Sequence, residues 1–146
     1  MSVPLYRVTL VRESGAVESH GAVVQKSAEA AEILRLLFAG LDREQFVVLM
    51  LDAKHGAIGT NIVSIGSLTA SLVSPRECFK PAVLCNAAAL ILCHGHPSGS
   101  TEPSAEDLDL TRRLRECGEL LGIRVLDHII LGAGESFYSF KDTGHF

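Results

Sequence analysis

Apolar and polar positions change period several times along the chain, and each change marks an element. Residues 5–11 alternate apolar and polar, the period-2 pattern of a strand with one buried face. The polar stretch 13–21 reads as a turn or hairpin, so residues 1–26 form a short N-terminal strand and hairpin annex. Ser27 stands where a helix cap belongs, ahead of Ala31, Ile33, Leu34, Leu37 and Phe38 at helical spacing, and Gly40 is placed to end that helix. Residues 46–51 are a dense apolar run, as in a strand buried on both faces. Residues 57–65 are rich in β-branched side chains and follow a turn at 54–56, so a second strand pairs with the first. Residues 71–74 read as a strand stub, and Pro75 suits the first turn of a helix reaching about residue 88. Another buried strand, 89–93, leads into a turn-rich loop, 94–103. Ser104 starts a helix with Leu108, Leu110, Leu114, Leu120 and Leu121 on its apolar side and Gly122 at its end. Strands at 123–131 and 136–140 complete the chain.

Strands alternating with helices predict an α/β protein, an α+β sandwich in which helices flank a central mixed β-sheet. The 146 residues suit a single domain, with no repeat, linker or low-complexity segment. Such a chain buries roughly two-thirds of its unfolded surface and needs no disulfide. With 47% hydrophobic and 21% charged residues, disorder, collagen and coiled coil are excluded. A mean hydropathy of +0.28 raises the question of a membrane. The longest apolar run, 81–93, is interrupted by Asn86 and falls short of the roughly 18 residues a span requires. The first ten residues lack a basic segment followed by an apolar stretch, so no signal peptide is expected and the location read is cytoplasmic. Cys78, Cys85, Cys93 and Cys117 show no C-x-x-C spacing and read as reduced core residues. The net charge is −4, and Arg112, Arg113 and Arg115 are the only tight basic cluster. That balance argues against nucleic acid as a partner of this domain alone. The apolar composition leaves room for a homodimer.

Chemistry concentrates in His94-Gly95-His96-Pro97, followed by Ser104 and Asp107. His94 and His96, at i and i+2 after a buried strand, share a face where backbone is extended. Asp107 lies in the first turn of the next helix, which the loop can fold back to the strand end. Two imidazoles and one carboxylate leave a coordination position open, the arrangement of a catalytic zinc, and these N/O ligands suit zinc best. Ser104-x-x-Asp107 is also a plain capping pair, and a single histidine near a turn is usually structural. The two readings of Ser104 are compatible, since one hydroxyl can cap a helix and still reach a metal site. Asp42, Glu44 and Asp52 flank the apolar run 46–51, and the residues alone leave open which of them serves as a proton carrier.

The strings His94-Gly95-His96-Pro97-Ser98-Gly99 and Pro103-Ser104-Ala105-Glu106-Asp107 resemble the RadC branch of the JAMM (MPN-like) metalloprotease family. The likeness extends over about residues 27–140, including Pro75-Arg76-Glu77, Asn86-Ala87-Ala88-Ala89 and Asp127-His128-Ile129-Ile130. It implies the JAMM/MPN, cytidine-deaminase-like fold. It also implies one Zn2+ per chain on His94, His96 and Asp107. Glu44 would be the general base and Ser104 the residue that helps hold the substrate oxyanion. Position 95 is Gly where this branch commonly has Asn, a change expected to loosen the turn or remove a supporting hydrogen bond. Larger RadC-like proteins carry a helix-hairpin-helix region ahead of this domain, for which residues 1–26 are too short.

The leading expectation is a zinc-dependent hydrolase of amide bonds, a peptidase or isopeptidase acting on a peptide or protein. The alternatives are a non-catalytic interaction module and a DNA-repair-associated protein, the latter by family name. The H-x-E with P-C-x-x-C signature of zinc deaminases and the H-E-x-x-H motif are both absent. Asp127 and His128, adjacent on a strand, point to opposite faces and read as structural or supporting residues. His20, His55 and His145 belong to no cluster.

Overall fold

β1 (Gln45–Leu51) carries seven consecutive buried residues, and the sheet is built around it and its neighbour β3 (Ala89–Gly95). The structure, a computed structural model, describes residues 1–13, 21–38, 44–66 and 73–146. Three further strands, β2 (Ala57–Ile65), β4 (Arg124–Leu131) and β5 (Phe137–Ser139), give the order β2-β1-β3-β4-β5. β3 and β4 run parallel, and the other neighbours are antiparallel. Three helices accompany the sheet: α1 (Ser27–Phe38), α2 (Pro75–Leu84) and α3 (Ala105–Leu121). This is the expected α+β architecture, a mixed open sheet flanked by helices, and it is consistent with a JAB/MPN-like fold.

The period-2 alternation of the two inner strands divides the interior into two cores. Phe46, Val48, Met50, Leu90 and Leu92 face Cys78, Phe79 and Ala82 of α2 and Leu110 and Leu114 of α3. Val47, Leu49, Leu51, Ile91 and Cys93 face Ala30, Ala31 and Leu34 of α1. Each such aliphatic side chain contributes about 1.5–3 kcal/mol on burial. A register shift in β4 has a local consequence. Leu90 pairs with Val125 but Ile91 with Asp127, leaving one extra residue on β4. Strict alternation from Val125 would turn His128 toward α1. The extra residue turns it toward α3 instead.

Several expectations change. Residues 5–11 form no strand: residues 1–13 carry no regular structure and are exposed throughout, Leu5 and Val11 included. The alternating pattern is there, but an alternating segment becomes a strand only when it pairs with an edge, and among the described residues none pairs with it. Ser27 does not cap α1 but is its first residue, and its hydroxyl donates to Asp142. The Glu29 carboxylate takes the Gln25 and Lys26 N–H groups instead, at 2.7 and 3.0 Å. α2 starts at Pro75 under the Ser74 cap but ends at Leu84, four residues early, because Asn86 adopts a left-handed φ of 54°. Of the stub expected at 71–74, residues 73 and 74 are not strand, and 71–72 lie outside the described residues, as do Gly40 and positions 14–20 of the hairpin. Cys78 and Cys93 are buried, whereas Cys85 and Cys117 are half-buried, and all four are free. No helix among the described residues is long and apolar enough to cross a membrane.

Candidate metal centre

β3 runs through Gly95, so His94 sits inside the strand rather than after it, fully buried on the α3 side. Its ring stacks on that of its cross-strand partner Phe46, with centroids 6.1 Å apart. His96 follows the strand end and keeps the same face, bringing the two Nε2 atoms to 3.1 Å. Gly95, between them, turns to the opposite face. A Cβ added there would stand 3.4 Å from Phe38 of α1, so Gly95 is a strand residue on the far side of the sheet rather than part of a turn.

The third member comes from the start of α3. Ser104 is its N-cap: the Ser104 Oγ accepts from the Asp107 N–H at 3.0 Å, and the Asp107 Oδ2 accepts from the Ser104 N–H at 2.8 Å. This reciprocal box fixes the carboxylate and leaves its other oxygen to face His94. Asp107 Oδ1 lies 3.3 Å from His94 Nε2, and Oδ2 lies 3.5 Å from His96 Nε2. Burial alone would raise the Asp107 pKa. The neighbouring His94 imidazole, with the Ser104 donors, outweighs it and holds the carboxyl well below the usual carboxylate range. His94, His96 and Asp107 are thus the group, among the described residues, that could hold a metal ion.

The donor set fits a metal. His96 Nδ1 lies 2.9 Å from the Ser100 carbonyl. A carbonyl only accepts, so Nδ1 carries a hydrogen there, and the Nε2, bare in the neutral ring, points at the cluster. A lone pair facing a carboxylate with no hydrogen between them is repulsive unless a cation lies between. A tetrahedral zinc with ligands at about 2.0–2.1 Å has ligand–ligand edges of about 3.3 Å. The observed 3.1, 3.3 and 3.5 Å bracket that value.

Glu44 immediately precedes β1, whose register sets Gln45 opposite Gly95. Glu44 therefore lies at the sheet end where His96 leaves β3, and its carbonyl accepts from the Gly66 N–H. Ser104 is exposed, and its hydroxyl hydrogen is not used by the cap. Two residues behind the cluster complete the surroundings. His128, fully buried, is 2.7 Å from His94 Nδ1 through its Nε2, and Thr111 lies 2.6 Å from its Nδ1. Burial pushes the His128 pKa well down. Asp127 faces away from the cluster, as its neighbour's orientation requires. It accepts from the His128 and Lys141 N–H groups and from the Ser139 hydroxyl. The sequence pattern did not single out Thr111. Its one signal is position, one helical turn after Asp107. Cys93 adjoins His94 but lies on the α1 side, where burial pushes its thiol pKa far up, so it is no ligand here.

The sequence matches the RadC-like JAB domain family over residues 24–145, which include the whole cluster and every described element. Similar proteins include a UPF0758 protein of Rubrobacter xylanophilus, 47% identical over 122 residues, or 84% of this chain and 53% of that protein. A UPF0758 protein of Geotalea uraniireducens is 56% identical over 102 residues, covering 70% of this chain and 44% of that one. The chain spans about half the length of the curated relatives it matches. With that match running through the sheet and through the His94, His96 and Asp107 group, the chain belongs to the RadC-like JAB domain family.

Proposed function

We propose that the chain is a zinc-dependent hydrolase of amide bonds, a peptidase or isopeptidase acting on a peptide or protein. The observation that carries this reading is the convergence of the His94, His96 and Asp107 ligand atoms, with His96 Nδ1 held by a carbonyl and its Nε2 turned toward the carboxylate. His94, His96 and Asp107 would hold one zinc ion per chain and leave a position open. When bound, such an ion supplies Lewis acidity, activating a water and polarising a carbonyl. Glu44, at the adjacent sheet end, takes the proton of the attacking water and returns it to the leaving amine. The Ser104 hydroxyl, an acceptor in the cap, keeps its hydrogen to donate to the developing oxyanion. The rigid capping box beneath it means that this donor needs little reorganisation.

The test is elemental analysis of protein purified without added metal, beside the His96→Ala variant. About one zinc per chain in the wild type and none in the variant is expected. No metal in either, after zinc has been offered, would leave the interaction-module reading in its place.

A further inference from the structure

Hydrogen-bond polarity around His94 can be worked out from one fixed point. The Thr111 hydroxyl lies 2.6 Å from the backbone carbonyl of Asp107, one turn back on α3. A carbonyl has no hydrogen to give, so the threonine donates its only one there. The same oxygen lies 2.6 Å from His128 Nδ1 and must accept, which assigns the proton to Nδ1. A neutral imidazole protonated at Nδ1 has a bare Nε2, and that atom lies 2.7 Å from His94 Nδ1. His94 Nδ1 therefore donates to it, and in the neutral His94 ring the Nε2 that faces Asp107 and His96 is bare. Packing holds the intermediate ring in place: Phe140 stacks on His128 at 4.7 Å, and Phe46 meets it edge-on at 5.6 Å. With the ring held in that packing, the donation of the Thr111 hydroxyl to a carbonyl sets the direction of the relay.

We infer that His128, oriented by Thr111, is a positioning residue that locks His94 in the tautomer able to ligate a metal. The relay starts at the backbone of Asp107 and ends on the ring facing the Asp107 carboxylate, so it also couples two ligands to one another. It rests on the metal-binding reading above but concerns residues outside the ligand set. Partners that orient ligating histidines in this way typically change metal affinity about 10- to 100-fold when removed.

Three variants test it. His128→Phe keeps an aromatic ring between Phe46 and Phe140 but abolishes both hydrogen bonds. Thr111→Val keeps shape and removes the hydroxyl, and Thr111→Ser restores it. Zinc affinity, measured by competition with a chromogenic chelator, should fall about 10- to 100-fold in His128→Phe and by a smaller factor in Thr111→Val, and recover in Thr111→Ser. Imidazole 15N spectra of the metal-free protein should show His94 protonated at Nδ1 in the wild type and mixed in His128→Phe. If wild-type protein binds zinc and folded His128→Phe and Thr111→Val both bind it within twofold of wild type, the relay role is wrong and the metal site stands. If His128→Phe does not fold, equal affinities of Thr111→Val and Thr111→Ser overturn it. If the wild type binds no zinc, the metal reading fails, and the His94 tautomer in the 15N spectra still decides whether the relay exists.

Discussion

Glu44 and Asp107 illustrate how one side chain's position decides its work. Asp107 divides its two oxygens, one held by the Ser104 N–H and the other facing His94, so one rotamer that caps the helix also leaves an oxygen available to a metal. Glu44 could not be told from Asp42 or Asp52 by pattern, and the resemblance alone selected it. The β1–β3 register sets it at the sheet end beside His96. Asp52 lies beyond the other end of β1, where it closes the β1–β2 turn by accepting the Lys54 and Gly56 N–H groups, each at 2.8 Å. Glu44→Gln should therefore keep stoichiometric zinc, because no ligand is lost. Hydrolysis of an amide substrate should fall about 100-fold or more, the usual contribution of a positioned acid–base group. Undiminished turnover in a zinc-loaded Glu44→Gln protein would remove that residue from the chemistry.

Elements follow local pattern where their faces are strongly specified and depart from it where a partner decides. β1 and β3 were legible because a run of buried apolar residues has few other solutions, whereas residues 5–11 had the pattern of a strand without a partner. α3 was legible from both ends, with Ser104 as its cap and Gly122 in the left-handed conformation at φ 71° closing it. One residue inside it, Gly118, has a role that pattern reading missed. A Cβ there would stand 2.5 Å from the Ile123 carbonyl, where the chain turns from α3 into β4. Gly118→Ala would gain about 1 kcal/mol of helix propensity. The clash is with backbone that is itself held by the Ile123 N–H to Gly118 carbonyl bond, and overpacking of this kind costs about 1–3 kcal/mol or more. The clash outweighs the propensity, so urea midpoints should fall for Gly118→Ala. A raised midpoint would show that the turn yields without cost.

At the scale of the whole molecule, the candidate centre joins parts distant in sequence: β3, the start of α3, and β4 behind them. An ion bound there ties α3 to the sheet, and an unfolded chain has no comparable site, so binding free energy adds to folding stability. With zinc at about 100 times its dissociation constant, the gain is about 2.7 kcal/mol, or on the order of 5–10 °C in melting temperature for a domain of this size. Calorimetric scans with and without zinc should show that rise in the wild type and not in His96→Ala. An equal rise in both would place the stabilising ion elsewhere. Burial pushes the Cys78 thiol up to about 12, so this core cysteine should not compete for the added zinc.

The local sequence determined where helices begin, which strands are buried on both faces, and which three residues could share an ion. Those properties reside in spacing: i and i+2 in extended chain, a capping serine three residues before a carboxylate, apolar runs without interruption. Tertiary structure alone decided the rest. Whether residues 5–11 become a strand depends on an edge to pair with, which no local pattern supplies. The face on which His128 lies depends on one extra residue in β4, since a single-residue shift turns every following side chain over. Thr111 acquires a role only because α3 packs across the sheet and brings its hydroxyl to that ring. Hydrogen-bond direction is a property of three-dimensional neighbours, and no local pattern supplies the Thr111, His128 and His94 contacts that set it.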